Sequence, residues 1–214
     1  MNKIRKMADR KSLKQKNLAL FKKVNPALHD VLTNHKPSST LVFDDDGEPD
    51  IMVDGKLLYD GRASEFAIKK IKAFRDDPFF YSATPPELGD LDRFGNQFLA
   101  RVDDRARQDG IKFAEGLPPE ECFFLIIFGI GLGKHIDALI ESMDPYLVVF
   151  IEPDPDHFVH SAEVYPWHAF VERLEEKGTN YTFAINDDSE MIASLVLQLF
   201  RQISPAAIDG TPIF

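Results

Sequence analysis

The chain has 214 residues, 44% of them apolar, and a formal net charge of −10. That length fits one large domain or two small ones, with material for a sizeable core. The acidic balance argues against general nucleic-acid binding, and no apolar run reaches the roughly 18 residues that span a membrane. The single cysteine, Cys122, rules out an internal disulfide framework and suits a reducing, cytoplasmic compartment.

Charge is uneven along the chain. Residues 1–23 hold nine Lys or Arg and one acid, Asp9; the remainder holds 16 basic and 34 acidic residues. A solvated helix or frayed tail accounts for this start, and a basic arm for a partner or anionic membrane surface is the sharper alternative. The N-terminus lacks an apolar h-region, so no signal peptide is expected. Residues 12–23 read as helix, and Pro26 opens a second helix to Asn34. Residues 40–43, 50–53 and 56–59 read as three strands. Asp54-Gly55 between the last two is a two-residue hairpin signal, giving a small antiparallel meander. Ser64 is expected to cap a helix over 65–75, with Ala67, Ile68, Ile71 and Phe74 inward. A further helix is expected over 90–107, with Leu91, Phe94, Phe98, Leu99 and Val102 buried.

The stretch 122–158 organises the rest. Apolar residues 123–128 end in Gly129-Ile130-Gly131-Leu132-Gly133. A helical pattern follows, with Ile136, Leu139 and Ile140 on one face, and Asp144-Pro145 breaks it. A second apolar run, 147–151, ends in Glu152. Short Ile/Val/Phe-rich runs bounded by breakers are buried parallel strands, so the unit is βαβ. Helices over 155–164 and 167–176, a strand over 181–185 and a last helix from Asn186 or Asp187 complete the pattern. That last helix places Ile192, Leu195, Val196, Leu199 and Phe200 inside and ends at Pro205. The fold class is therefore α/β: a Rossmann-like parallel sheet with flanking helices, preceded by a small α+β region containing an antiparallel β-meander. We divide the chain into a basic N-terminal arm or helix (1–23), an α+β subdomain (24–115), a Rossmann-like subdomain (116–205) and a tail (206–214) leading to a following domain.

A strand-to-helix turn needs positive φ and a backbone that comes close to whatever lies above it, which explains the glycines. N–H groups at the helix start favour an anion, and an acid at the next strand tip suits ribose hydroxyls. The candidate ligand-binding residues are therefore Gly129, Gly131, Gly133, Lys134, Glu152 and Asp154. Gly129, Gly131 and Gly133 spell G-x-G-x-G, with Lys134 at the sixth position of the dinucleotide fingerprint, which argues against a standard NAD site. Three readings stay open: glycines for packing only, contact with a nucleotide or nucleotide-sugar, and adenosylmethionine-dependent methyl transfer. Asn186, Asp187 and Asp188 either line the same mouth or cap the last helix.

Two clusters resemble metal sites on paper. Asp44, Asp45, Asp46, Glu48 and Asp50 are acid-rich, but Gly47 falls fourth and Gly55 twelfth, which fits a turn rather than an EF-hand. His157, His160 and Glu163 follow helical spacing without a third anchored ligand, which fits an amphipathic helix. We assign no metal and no catalytic residue. Cys122, at the head of a buried strand, reads as an inert core thiol.

Phe128-Gly129-Ile130-Gly131-Leu132-Gly133-Lys134-His135-Ile136, followed by Val148-Val149-Phe150-Ile151-Glu152-Pro153-Asp154, resembles the N-terminal region of the motility accessory factors, the Maf flagellin glycosyltransferases. Asn17-Leu18-Ala19-Leu20-Phe21, Asn25-Pro26-Ala27-Leu28 and the meander ending at Tyr59-Asp60 also look like theirs. The resemblance covers most of 15–205. It implies an enzyme family that transfers pseudaminic, legionaminic or related nonulosonic acids from a CMP-activated donor to Ser or Thr of flagellin. The partners it implies are flagellin and a following catalytic domain of the same polypeptide. In that family transfer is attributed to the following domain, through a Gly-Pro-Ser-Leu type loop. This sequence contains no Gly-Pro-Ser, so no catalytic residue carries over. A degenerate Rossmann-like interaction module is the alternative from another class.

Overall fold

The computed structural model describes residues 2–81, 94–111, 122–186, 188–202 and 211–214. In chain order the elements are α1 (Asn2–Val24), α2 (Pro26–Asn34), β1 (Thr40–Phe43), β2 (Pro49–Val53), β3 (Lys56–Leu57), α3 (Ala63–Asp76), β4 (Phe80–Tyr81), α4 (Phe94–Gln108), β5 (Phe124–Phe128), α5 (Ile136–Met143), β6 (Leu147–Glu152), α6 (Pro155–Val164), α7 (Trp167–Lys177), β7 (Asn180–Ile185), α8 (Ser189–Gln202) and β8 (Thr211–Pro212).

β5, β6 and β7 form a parallel sheet in that order, with Ile127 opposite Phe150 and Phe150 opposite Phe183. Strand side chains alternate between faces, and the sheet uses both. Leu125, Ile127, Val148, Phe150 and Ile185 face the larger core, shared with helices α1, α2, α3, α5, α6 and α7. Phe124, Ile126, Leu147, Val149, Ile151 and Ala184 face the smaller core beneath α8. Burial on both faces is why β5 and β6 read as unbroken apolar runs. Trp167, fully buried, meets Phe21, Phe150, Phe158 and Phe183 at centroid separations of 5.5–6.3 Å.

β1, β2 and β3 form the antiparallel meander, with Leu41 opposite Ile51 and Met52 opposite Leu57. Asp54 and Gly55 have φ of 49° and 78°, the double positive φ that a two-residue hairpin of this kind needs. Asp44 Oδ1 accepts from the N–H groups of Gly47 and Glu48, so the acidic stretch is a self-bonded turn. Residues 211–214 join two sheets: β8 pairs antiparallel with β4, and Ile213 bridges to Ile126 in parallel. The Phe214 N–H donates to Ile126 O, and Phe128 N–H donates to Phe214 O.

Several local expectations change. α3 starts at Ala63 with Arg62 before it and no side-chain cap; the Ser64 N–H instead donates to Glu48 Oε1. Ile68 is 67% exposed, Val102 43% and Leu195 45%, against the inward positions their periodicity predicts. In α3 the buried stripe runs through Ala63, Ala67 and Ile71, so Ile68 lies beyond its edge. Asp188 caps α8, accepting from the N–H groups of Glu190 and Met191. Leu91, Asp187 and Pro205 lie outside the described residues, as do the side chains of Phe94, Phe98, Leu99 and Phe200.

α1 packs on α2, α6 and α7. Its fully buried Asn17 donates through Nδ2 to the carbonyls of Ala162 and Tyr165, at 2.9 Å each. Asn17 Oδ1 accepts from the His168 N–H at 3.0 Å. One side chain thus bonds to backbone groups at the end of α6 and the start of α7, where helix ends leave groups open. Asn17→Leu removes these side-chain bonds, and Tyr165 O then keeps only the Trp167 N–H. We expect it to cost about 2–4 kcal/mol in chemical denaturation; a loss below about 0.5 kcal/mol would show that the network is not structural.

Candidate functional site

The site begins where β5 ends. After Phe128 the chain turns through Gly129, Gly131 and Gly133, at φ of 94°, 52° and 77°. A Cβ at Gly131 would lie 2.5 Å from Tyr59 Oη, and one at Gly133 would lie 2.7 Å from the Tyr165 ring. Both glycines are therefore required twice over, by conformation and by contact.

Glu152, 2% exposed, stands beside this turn at the tip of β6. Its Oε2 accepts from Ile130 N–H at 2.7 Å and Gly131 N–H at 3.0 Å. Oε1 accepts from Asp154 N–H at 3.1 Å and lies 3.4 Å from His157 Nδ1. Burial raises the Glu152 pKa, but His157 and the backbone donors outweigh it and hold the carboxyl below its ordinary range. Burial likewise lowers His157, yet Glu152 and the neighbouring aspartates carry it above the usual imidazole value. The two side chains meet inside the mouth of the sheet, and each favours the charged form of the other.

The structure thus brings the sequence-derived residues together. Gly129, Gly131 and Gly133 form the turn, and Glu152 is bonded into it. Asp154 caps α6, accepting from Asp156 N–H at 3.0 Å. Lys134 leans toward the meander, its Nζ 3.8 Å from Glu48 Oε2. The other amides of the turn also have partners within the chain. Gly129 N–H donates to Ile151 O, Gly133 N–H to Ile130 O, and the Leu132 backbone bonds Tyr59. Tyr59 is pushed up to about 12, by burial first and then by Glu152 and Asp50, so its hydroxyl keeps its proton. Cys122 is buried, donates weakly to Met143 O and is also pushed up to about 12, chiefly by burial.

A second polar cluster lies along α6 and was not legible in advance. Buried Asp156 accepts from the N–H and hydroxyl groups of Ser38 and Ser39 at 2.8–2.9 Å, and pairs with His35 Nε2 at 2.6 Å. Burial raises its pKa, but these donors reverse the effect and hold it well below the carboxylate range. Ser39 Oγ also meets His160 Nε2 at 2.9 Å. The three members of the paper metal site therefore face different partners: His157 to Glu152, His160 to Ser39, and Glu163 to Lys14 at 2.7 Å. Among the described residues, no group of three or more His, Cys, Asp or Glu side chains is placed to hold one metal ion. Helical spacing on α6 flagged His160 and Glu163; a Ser-Ser pair before a strand was the faint signal for Ser38 and Ser39.

Fold and site together define a Rossmann-like α/β domain whose strand-end turn is bonded to its own acid. The family model described as the glycosyltransferase Maf N-terminal domain matches residues 13–214, and the chain belongs to that family. It is also similar to the solved structure of the Maf glycosyltransferase from Magnetospirillum magneticum AMB-1, at 26% identity and a TM-score of 0.67. That match covers 96% of this chain but 32% of the other, so the chain spans about a third of that enzyme's length. No curated protein matches the chain. Among the described residues no helix is long and apolar enough to cross a membrane.

Two outcomes test this site. Gly131→Val puts a β-branched side chain at positive φ and against Tyr59; we expect a loss of about 2–4 kcal/mol, read from thermal or urea unfolding. An unchanged melting temperature would show that the turn is not held in this conformation.

The second outcome concerns pH. Burial depresses His135 to about 4, against an unfolded value of 6.5. A group depressed in this way keeps its proton longer in the unfolded chain. Its stabilising contribution is therefore complete above pH 6.5 and is lost as pH falls toward 4. His135→Phe should flatten that limb of the stability profile relative to the native chain, by about 3 kcal/mol at most. Parallel profiles for the two proteins would refute it.

Proposed function

We propose that this chain acts as the N-terminal, non-catalytic domain of a cytoplasmic flagellin glycosyltransferase. The whole enzyme attaches a nonulosonic acid, pseudaminic or legionaminic, to Ser or Thr of flagellin and so serves flagellum assembly. Its donor is CMP-nonulosonate, and its partners are flagellin and a following catalytic domain. Family membership supports the glycosyltransferase part of this reading. The observation that carries the non-catalytic part is the state of the glycine turn. Sugar transfer needs donors for the departing nucleotide phosphate and a base for the acceptor hydroxyl. Here Ile130 and Gly131 donate to Glu152, and Gly129 and Gly133 donate to backbone carbonyls. Glu152 is itself occupied as an acceptor, so it is a poor base. Leu58 and Phe66, exposed in the cavity beside the turn, and Met52, Val53 and Leu57, exposed on the meander, favour a docking role for the same domain.

The purified chain, mixed with flagellin and each CMP-nonulosonate, should leave the flagellin mass unchanged, whereas a longer protein carrying the next domain should add one sugar residue. A one-sugar shift with this chain alone would overturn the reading and make Glu152 the first residue to mutate. Flagellin retained by the chain without a mass change is the result the docking role expects.

A further inference from the structure

From Arg10 to Lys23, α1 carries six Lys or Arg and no acid. Two of the six are engaged by the rest of the protein. Arg10 lies over the Phe43 ring, 3.9 Å from its centroid, and Lys14 Nζ meets Glu163 Oε1 at 2.7 Å. The other four, Lys11, Lys16, Lys22 and Lys23, are exposed. Helical spacing puts them on one face, over a length of about 18 Å at 1.5 Å per residue. Ser12, Gln15 and Ala19, also exposed, lie between them. Among the described residues, none of the four lysines is ion-paired.

The row is held rigidly, because the opposite side of α1 is locked into the domain. Asn17 and Phe21 are fully buried, and Leu18, Leu20 and Val24 pack against the larger core. Between Ala8 and Lys23 the exposed face therefore has no apolar side chain larger than alanine. Two acids border it. Asp9 is exposed two turns before Lys16. Burial lowers the His168 pKa, Lys16 adds to that and Glu172 of α7 opposes it, so Glu172 lies near the row. Four positive charges against two negative leave the face basic.

The residue types select the partner. Protein interfaces are depleted of lysine and anchored by Arg and aromatic side chains, and this face has neither. Lysine is a point charge without the planar fork that grips a carboxylate. An anionic bilayer needs only positive charge held at its surface, worth about fivefold in affinity for each lysine. The net charge of −10 does not decide the matter, since acids more than about 8 Å from the headgroups are screened at physiological ionic strength. We propose that the outer face of α1, through Lys11, Lys16, Lys22 and Lys23, docks the domain on an anionic lipid bilayer. The attachment is electrostatic alone: nothing on this face inserts, and salt releases it. This goes beyond the role in glycosylation and stands without it.

The test sediments the chain with vesicles of pure phosphatidylcholine and with vesicles of equal parts phosphatidylcholine and phosphatidylglycerol. Only the second should carry the chain down, and raising the salt from roughly 0.01 to 0.15 M should weaken that binding about tenfold or more. Lys16→Gln with Lys23→Gln should weaken it about 25-fold. Lys69→Gln with Lys72→Gln removes the same net charge at exposed positions of α3, and should change binding less than about threefold. Equal binding to both vesicles, no binding to either at low salt, or equal losses from the two variants would each overturn the proposal. Retention on immobilised polyglutamate without binding to the anionic vesicles would overturn it in favour of an acidic polypeptide. If the α1 variant does not fold, the native chain's lipid and salt dependence and the α3 variant decide it.

Discussion

A carboxylate buried at the tip of the central strand constrains much of the structure. Glu152 is almost fully removed from water and ionised, a combination that is unfavourable unless donors surround it. The turn after β5 supplies two of them, and can do so because its glycines take up positive φ and aim Ile130 N–H and Gly131 N–H inward. In many Rossmann-like folds that geometry receives an anion from solution. Here the anion is part of the chain. The same contact fixes the spacing of β5 and β6 at their carboxyl ends, seats Tyr59 over Gly131 and orients His157 on α6.

α6 carries that order outward, because it is gripped at both ends by residues from far earlier in the chain. At its start, Asp156 gathers the backbone and hydroxyls of Ser38 and Ser39, together with His35. At its end, Asn17 holds the carbonyls of Ala162 and Tyr165. Each buried polar group is satisfied by groups that a helix end or an irregular segment would otherwise leave open. Between the two clamps, Phe158 packs on Phe21 at 5.4 Å and on Trp167 at 5.9 Å. The basic first helix is therefore tied to the sheet domain by its Asn17–Phe21 segment, while Lys11, Lys16, Lys22 and Lys23 stay at the surface.

What was legible in the sequence follows from range. β5, β6, the glycine turn and the Asp54-Gly55 hairpin are written in a few adjacent residues, and all form as read. The grouping of Glu152 with the turn was also legible, since strand, turn, helix and strand leave little choice of topology. Its partner was not: an acid at a strand tip reads as a ribose ligand until the loop amides are seen bonded to it. Ile68, Val102 and Leu195 were misplaced because periodicity marks an apolar stripe without showing how wide a neighbour covers it. Ser64 looked like a cap by type, but the helix begins one residue earlier and Glu48, sixteen residues away, takes its N–H. The roles of Asn17 and Asp156 were hidden for the same reason, since their partners lie more than 110 residues distant.

The pairing of Ile213 and Phe214 with β5 has a consequence for how the protein is made. One edge of β5 belongs to β6, some twenty residues downstream, and is satisfied early. The other edge waits for residues of the 211–214 segment, Ile213 and Phe214, far later in the chain than β6. During synthesis a growing chain therefore carries the run Phe124–Phe128 with one flank of backbone donors and acceptors open until residues 211–214 clear the ribosome. An exposed apolar edge of this kind is a template for pairing with another chain. At ribosomal rates of about 5–20 residues per second the interval lasts several seconds, long enough for a chaperone or a neighbouring nascent chain to reach that edge first.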